Sequence, residues 1–196
     1  NCSNVQGILR IIQSIPSPKA EPFKQWLAQV GKERIDEIEN PELAMDRMKT
    51  IYEKKGYPQE WINKRARGIA VRHTLTDEWK NRGVKRNIDF AILTNEIMKS
   101  GFGLTVAEYK NLKGLKRENL RDHMDDIELI LTMLGEASTT KFTQDRNSKT
   151  LPNLKNDAHD GGHVTKVART EIESKSPKSV ISSKNYLNIK NKKSIK

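Results

Sequence analysis

Cysteine is almost absent from this chain of 196 residues, in which Cys2 is the only one. One thiol forms neither an internal disulfide nor a multi-cysteine zinc site, which favours a reducing, cytoplasmic location. No apolar run approaches the ~18–20 residues that span a bilayer, and no signal-peptide pattern opens the sequence. Hydrophobic residues make up 35% and charged residues 31%, so the chain is polar but long enough to bury a core.

The motifs of common enzyme classes are also missing. The sequence has no glycine-rich phosphate loop with a lysine, no dinucleotide fingerprint and no serine elbow. Cys2 lies at the start of the chain, and nothing supports its pairing with His73 or His123 as nucleophile and base. We therefore expect a protein that is not an enzyme and that needs no cofactor.

Two small clusters have side chains that bind metals. Asp122 and Asp126 lie one helical turn apart, on either side of His123 in the sequence. These two carboxylates either share a hard cation or complement the dipole at the start of a helix. His159 and His163 have i, i+4 spacing but supply only two of the four ligands of a zinc site. We expect no metal centre, and a metal-dependent nuclease at Asp122 and Asp126 is the third hypothesis.

Positive charge is in excess and unevenly distributed. The chain carries 36 Lys and Arg against 25 Asp and Glu, a formal net charge of +11. From Lys175 onward there are seven lysines and no acid, which predicts a mobile basic tail. Such a tail either attracts nucleic-acid phosphates or only improves solubility, and composition favours neither.

A second basic concentration lies between Lys64 and Arg86, where only Asp77 and Glu78 oppose it; its members are Lys64, Arg65, Arg67, Arg72, Lys80, Arg82, Lys85 and Arg86. The preceding stretch from Glu33 to Asp46 is acidic. A positive element beside a negative one predicts a polarised surface that orients a protein on DNA. The residues expected to contact DNA phosphates are Arg67, Lys80, Arg82, Lys85 and Arg86.

Helix signals run through most of the first 138 residues. Ser17-Pro18 predicts a helix that ends at Gly31, and Asn40-Pro41 predicts one that ends at Gly56. Pro58 opens a long helix reaching about Asn81. Trp61 and Trp79 lie five turns apart on it, so they share a face, and core packing is favoured over base stacking.

The helix signals in the second half of the chain are less regular. We expect helices over Phe90–Lys99, from a capping box at Thr105 and Glu108, and from Asn119. The inner side of the last is expected to carry Leu120, Met124, Ile127, Leu131 and Leu134. A polar linker follows from Thr139 to about Asn153. Gly161-Gly162 is either a flexible joint or an anion site at a helix start, and a short helix covers Val164–Glu173.

The first forty residues carry a familiar motif. Gly7-Ile8-Leu9-Arg10-Ile11-Ile12, followed by Ser17, Ala20, Phe23 and Trp26, resembles the second half of the BRO N-terminal domain of phage antirepressors. Leu27 replaces the valine that usually follows the tryptophan. The β-rich first half of that module is not in this sequence, so we expect the chain to be a fragment.

Two later segments extend the resemblance over most of residues 7–185. Asn119–Met124, Glu128-Leu129 and Met133–Ala137 are similar to the region after the BRO module in prophage antirepressor-like proteins and DNA-damage-inducible protein D. Gly161–Glu173 resembles the ending of the same proteins. The likeness implies a bacterial or phage DNA-binding module coupled to a helical region that acts on another protein, with no catalytic residues.

These observations define two principal hypotheses. The first is a mainly α, DNA-binding, prophage antirepressor-like regulator in the bacterial cytoplasm, associated with the nucleoid. Its parts are the C-terminal remnant of an α+β BRO module (1–40), a helical domain (41–140) and a polar linker, short helix and flexible Lys-rich tail (141–196). The alternative is a helical module that binds a repressor or recombination protein through an apolar patch on residues 41–137, without binding DNA.

Overall fold

The computed structural model describes residues 4–187 and confirms a mainly α fold. Within this range the chain forms eight α-helices, two 3₁₀ turns and no β-strand. The helices are α1 (Val5–Ser14), α2 (Glu21–Glu39), α3 (Glu42–Lys54), α4 (Gln59–Asn81), α5 (Asn87–Phe102), α6 (Val106–Leu112), α7 (Asp126–Asp145) and α8 (Leu151–Ser174), with 3₁₀ turns at Pro18–Ala20 and Leu120–His123. Cys2 and the last four lysines lie outside the described residues.

The chain divides into two compact units between Lys55 and Gly56, which differs from the boundaries expected after residues 40 and 140. In the first unit, the Glu37 carboxylate at the end of α2 binds Arg34 on its own helix and Arg47 on α3. This contact explains why residues 41–55 belong with the preceding helices. The second unit contains α4 to α8.

The helix predicted to end at Gly31 continues to Glu39. Nothing lies within 4 Å of the position that a Cβ on Gly31 would take, so this glycine has no packing role and only weakens the helix. Tyr52 is the one buried hydrophobic side chain described in the first unit. Its three helices therefore leave most of their apolar surface exposed.

Four long helices form the second unit. The Trp79 ring contacts Phe90, and Arg72 donates to Thr94, so α4 and α5 run antiparallel. The α7–α8 pair is also antiparallel, because Thr165 Oγ1 donates to Leu131 O near one end and Arg146 binds Asp157 near the other. Trp61 and Trp79 are both buried, as their spacing on α4 predicts.

The glycines expected to form a flexible joint lie instead inside the continuous helix α8. A Cβ on Gly161 would lie 2.1 Å from Thr139 Oγ1, and one on Gly162 would lie 2.5 Å from Ile97 O. Glycine is therefore required where α8 packs directly on the backbones of α5 and α7. The predictions of a joint, and of an anion site at a helix start, are wrong because of this packing.

The polar linker expected from Thr139 is also wrong. Helix α7 continues to Asp145, and α8 begins at Leu151 after a short turn. Thr139 and Thr143 are buried on α7 and lie one turn apart on its inward face. Because this face is built from threonine, glycine and glutamate, the apolar periodicity stops although the helix does not.

The predicted inward row of Leu120, Met124, Ile127, Leu131 and Leu134 forms only in part. Leu120 belongs to a separate 3₁₀ turn, and α7 begins later, at a capping box between Asp125 and Glu128. Leu120, Met124 and Leu131 are buried as predicted, whereas Ile127 is exposed. The prediction of one helix from Asn119 is therefore wrong, and so is the inward position of Ile127.

The segment after α8 packs on the second unit as far as the structure describes it. Tyr186 stacks on Trp61 at 5.4 Å between ring centroids, and Asn185 Nδ2 donates to Lys113 O. Lys113 Nζ in turn donates to Lys184 O at 2.7 Å. The prediction of a mobile tail is therefore wrong for residues 180–187, because these aromatic and backbone contacts hold them.

No helix between residues 4 and 187 is both long and apolar enough to cross a membrane.

Candidate nucleic-acid interface

Most of the basic residues between Lys64 and Arg86 are held by carboxylates. Six of the eight form ion pairs: Lys64–Asp126, Arg65–Asp122, Arg72–Glu136, Lys80–Asp77, Arg82–Glu78 and Arg86–Asp89. Three of the acids come from α7 or the 3₁₀ turn before it, far along the sequence. The positive run in the sequence is therefore largely neutralised in the fold.

The five residues predicted to contact phosphates do not form one cluster. Arg67 is exposed on the middle of α4 and has no carboxylate partner within residues 4–187. Lys80 lies 13 residues further along the same helix, about 20 Å away. Arg67 therefore stands apart from the other four.

Those four lie at one end of the second unit, around the turn between α4 and α5. Arg82 Nη1 donates to Asn147 Oδ1, which joins this turn to the one between α7 and α8. The contact brings Lys149, which the sequence argument missed, into the same groove as Arg82. Lys85 and Lys149 are exposed and have no ion pair in the described part of the chain, whereas Lys80, Arg82 and Arg86 are paired.

Hydrogen bonding ties Arg86 closely to its partner. Its Nε and Nη2 atoms donate to the two oxygens of Asp89 at 2.9 and 2.6 Å. The Arg86 guanidinium holds the pKa of the Asp89 carboxyl below its usual range, mainly through these hydrogen bonds. A phosphate that recruits Arg86 must compete with this carboxylate.

The acids considered as metal ligands serve as partners for basic side chains. Asp122 Oδ1 accepts from Arg65 Nε at 2.9 Å, and Asp126 binds Lys64. The hydrogen bond to Asp126 raises the pKa of the Lys64 ammonium. Residues 4–187 contain no group of three or more His, Cys, Asp or Glu side chains arranged to hold a metal ion.

Arg72 has a structural position. Its guanidinium lies over the Trp79 ring at 5.5 Å, and its Nη2 donates to Thr94 Oγ1 at 2.6 Å. It shares the buried Glu136 carboxylate with Arg121. Burial lowers the pKa of Arg72, whose side chain is held by these contacts with α4, α5 and α7.

A basic groove that is absent from the sequence-based predictions lies between α5 and α8. It has a volume of about 470 Å³ and is lined by Glu96, Lys99, Ser100, Lys155, His159, His163 and Lys166. Glu96 is the only carboxylate in this lining; it accepts from His159 Nδ1 at 3.0 Å and lies 3.5 Å from Lys155 Nζ. Lys99 and Lys166 are exposed and have no ion pair within the described residues.

A signal for this groove is present in the sequence. Lys155, His159, His163 and Lys166 follow one another at spacings of four, four and three residues, which places them on one face of a helix. The signal is lost when residues 139–153 are assigned to a linker and Gly161-Gly162 to a joint. Lys99 comes from α5, and only the fold shows that it faces this row.

The apolar surface of the first unit is a second candidate interface. Helices α1, α2 and α3, and the residue that directly follows α1, expose large hydrophobic side chains: Val5, Ile8, Ile11, Ile15, Trp26, Val30, Ile35, Ile38, Leu43, Met45 and Ile51. Trp26, a residue of the antirepressor-like motif, is 54% exposed. Contiguous apolar patches on protein surfaces mark interaction sites, which makes these side chains candidates for contact with a partner.

Comparison with known proteins adds no family. No protein-family model matches the chain, and no curated protein is significantly similar to it.

Proposed function

We propose that the protein is a non-enzymatic, DNA-associated regulator of the prophage-antirepressor type. The observation that supports it most is the surplus of exposed positive charge on the second unit, where Arg67, Lys85 and Lys149 have no carboxylate partner within the described residues. The likeness of residues 7–40 and 119–137 to antirepressor proteins supports the same assignment. In this proposal residues 1–40 correspond to the end of a BRO module, and the protein acts at the bacterial nucleoid.

Phosphate contacts in this proposal fall mainly on the unpaired side chains. Arg67 and Lys85 are free to bind a phosphate at no cost in broken ion pairs. Lys80, Arg82 and Arg86 contribute only when a phosphate displaces Asp77, Glu78 or Asp89. Phosphate contacts position a protein without reading bases, so no target sequence follows from them.

The alternative function is binding of a repressor or recombination protein without DNA. The observation in its favour is the exposed apolar surface of α1, α2 and α3. This surface differs in place from the patch expected on residues 41–137, since most of its side chains precede residue 41. The two functions are compatible if the two units bind different partners.

The experiment that separates the two functions measures binding of the purified full chain to a short labelled duplex of mixed sequence by fluorescence anisotropy. Binding that weakens steeply with salt supports the DNA-associated regulator. Absence of duplex binding at low salt, together with capture of a partner protein that survives nuclease treatment, overturns it in favour of the alternative.

A further inference from the structure

We propose that the groove between α5 and α8 binds the phosphate backbone of a nucleic-acid strand. Its cations are Lys155 and Lys166 on α8 and Lys99 on α5, with His159 and His163 between the two lysines of α8. The inference deepens the proposed function, because it gives DNA association a site outside the run from Lys64 to Arg86.

The charges of the groove are arranged in a line. Lys166 follows Lys155 by eleven positions, which is about 16 Å along the axis of α8. A row of this length is long enough to contact several consecutive phosphates of one strand. Lys99 stands on the opposite helix, and a backbone lying in the groove contacts cations on both sides.

The carboxylates around the groove leave it positive. Glu96 on α5 binds both His159 and Lys155 on α8. Glu108 on α6 is close enough to Lys99 for an electrostatic attraction. Asp160, next to the row on α8, is held by Arg146 at 2.7 Å. Lys166 has no carboxylate partner in residues 4–187, so its positive charge is not offset by an ion pair.

The lining also favours a nucleic-acid backbone over an acidic peptide. Apart from Ser100, every side chain that lines the groove is charged or an imidazole. Protein interfaces carry an apolar centre that receives side chains of the partner, and this groove has none. A phosphate backbone needs only cations and hydrogen-bond donors, which the three lysine ammonium groups supply, since the Ser100 hydroxyl already donates to His159 O.

The test compares three variants of the full chain, each of which removes three positive charges and keeps polar side chains at the same positions. The groove variant combines Lys99→Gln, Lys155→Gln and Lys166→Gln. The turn variant combines Lys80→Gln, Lys85→Gln and Lys149→Gln. The scattered variant, with Lys32→Gln, Lys54→Gln and Lys116→Gln, controls for net charge. Circular dichroism confirms that all three remain folded, as expected for exposed positions.

We expect the groove variant to flatten the slope of log K against log salt for a labelled duplex by about 2–3 units, since each lost contact removes ~0.9. The scattered variant is expected to change it by less than about one unit. If the slope for the groove variant changes no more than the slope for the scattered variant, the inference is overturned. If only the turn variant flattens the slope, the inference is overturned while the proposed function stands. If the wild type binds no duplex, both the inference and the proposed function are overturned. If the wild type binds polyglutamate as tightly as the duplex, and the groove variant loses this binding, the choice of nucleic acid as the ligand is overturned.

Discussion

Lys113 Nζ lies 2.9 Å from Glu128 Oε1, and neither side chain has any exposed surface. The same carboxylate accepts hydrogen bonds from Tyr109 and from the backbone N–H of Asp125. Lys113 also donates to the carbonyl of Lys184, beyond α8. One buried ion pair therefore joins the end of α6, the start of α7 and the C-terminal segment.

Removing one partner of this pair should destabilise the second unit strongly. We expect Lys113→Met to lower the free energy of unfolding by about 3–5 kcal/mol, because it leaves the Glu128 charge buried and unpaired. Lys116→Met, at an exposed position three residues further along the chain, is the matched control and should change it by less than ~0.5 kcal/mol. Urea unfolding followed by circular dichroism measures both.

A second substitution tests the cause. Burial raises the pKa of Glu128, and Glu128→Gln removes the charge while it keeps an acceptor for Tyr109. The double variant with Lys113→Met should therefore be more stable than Lys113→Met alone. Equal stability of the two would show that lost packing, and not the unpaired charge, accounts for the effect.

Gly161 and Gly31, which differ in the space available for a Cβ atom, give a second prediction. Gly161→Ala places a Cβ 2.7 Å from the backbone nitrogen of Thr139, so we expect a loss of about 1–3 kcal/mol or more in unfolding free energy. Gly31→Ala meets nothing within 4 Å and should instead stabilise α2 by up to ~1 kcal/mol. Thermal melts followed at 222 nm distinguish the two signs. Similar effects at both positions would contradict the close packing of α8.

Acid should release the contact between α2 and α3. Hydrogen bonds from Arg47 and then Arg34 hold the pKa of Glu37 below its ordinary value of 4.5. The stabilisation is therefore complete above that value and is lost as pH falls through the lowered pKa. Carboxyl-detected NMR should show Glu37 titrating below pH 4.5, and Arg47→Gln should raise its midpoint. An unchanged midpoint in Arg47→Gln would contradict the assignment.

The aromatic contact of the C-terminal segment gives a fourth prediction. Tyr186 stacks on both Tyr57 and Trp61, at 6.0 and 5.4 Å. Tyr186→Ala should lower the unfolding free energy by about 1–2 kcal/mol and make Trp61 more accessible to acrylamide, whereas Tyr186→Phe keeps the stacking. Fluorescence of a Trp26→Phe, Trp79→Phe background reports Trp61 alone. Unchanged quenching in Tyr186→Ala would show that the segment does not cover Trp61.

Local signals predicted part of the fold well. The start of α4 after Pro58 and its end at Asn81 follow the sequence prediction, and the capping box of Thr105 and Glu108 forms as expected. These features depend on residues a few positions apart, which the sequence shows directly. The pairing of α7 with α8 could not be predicted in this way, because a face of threonine, glycine and glutamate has no apolar period.

The candidate site was harder to predict, since charge in a sequence does not show its partners. Arg65 and Asp122 are 57 residues apart and form an ion pair that only the fold brings together. A run of lysines and arginines therefore overstates the positive surface. Lys99 and Lys166 show the opposite case, because two unremarkable lysines on different helices line one groove.

The salt dependence of duplex binding by the wild-type full chain tests the proposed DNA association most directly. If about 4–6 phosphates are engaged, log K should fall against log salt with a slope of roughly −4 to −5. A slope near zero, or no binding at low salt, would contradict the proposal.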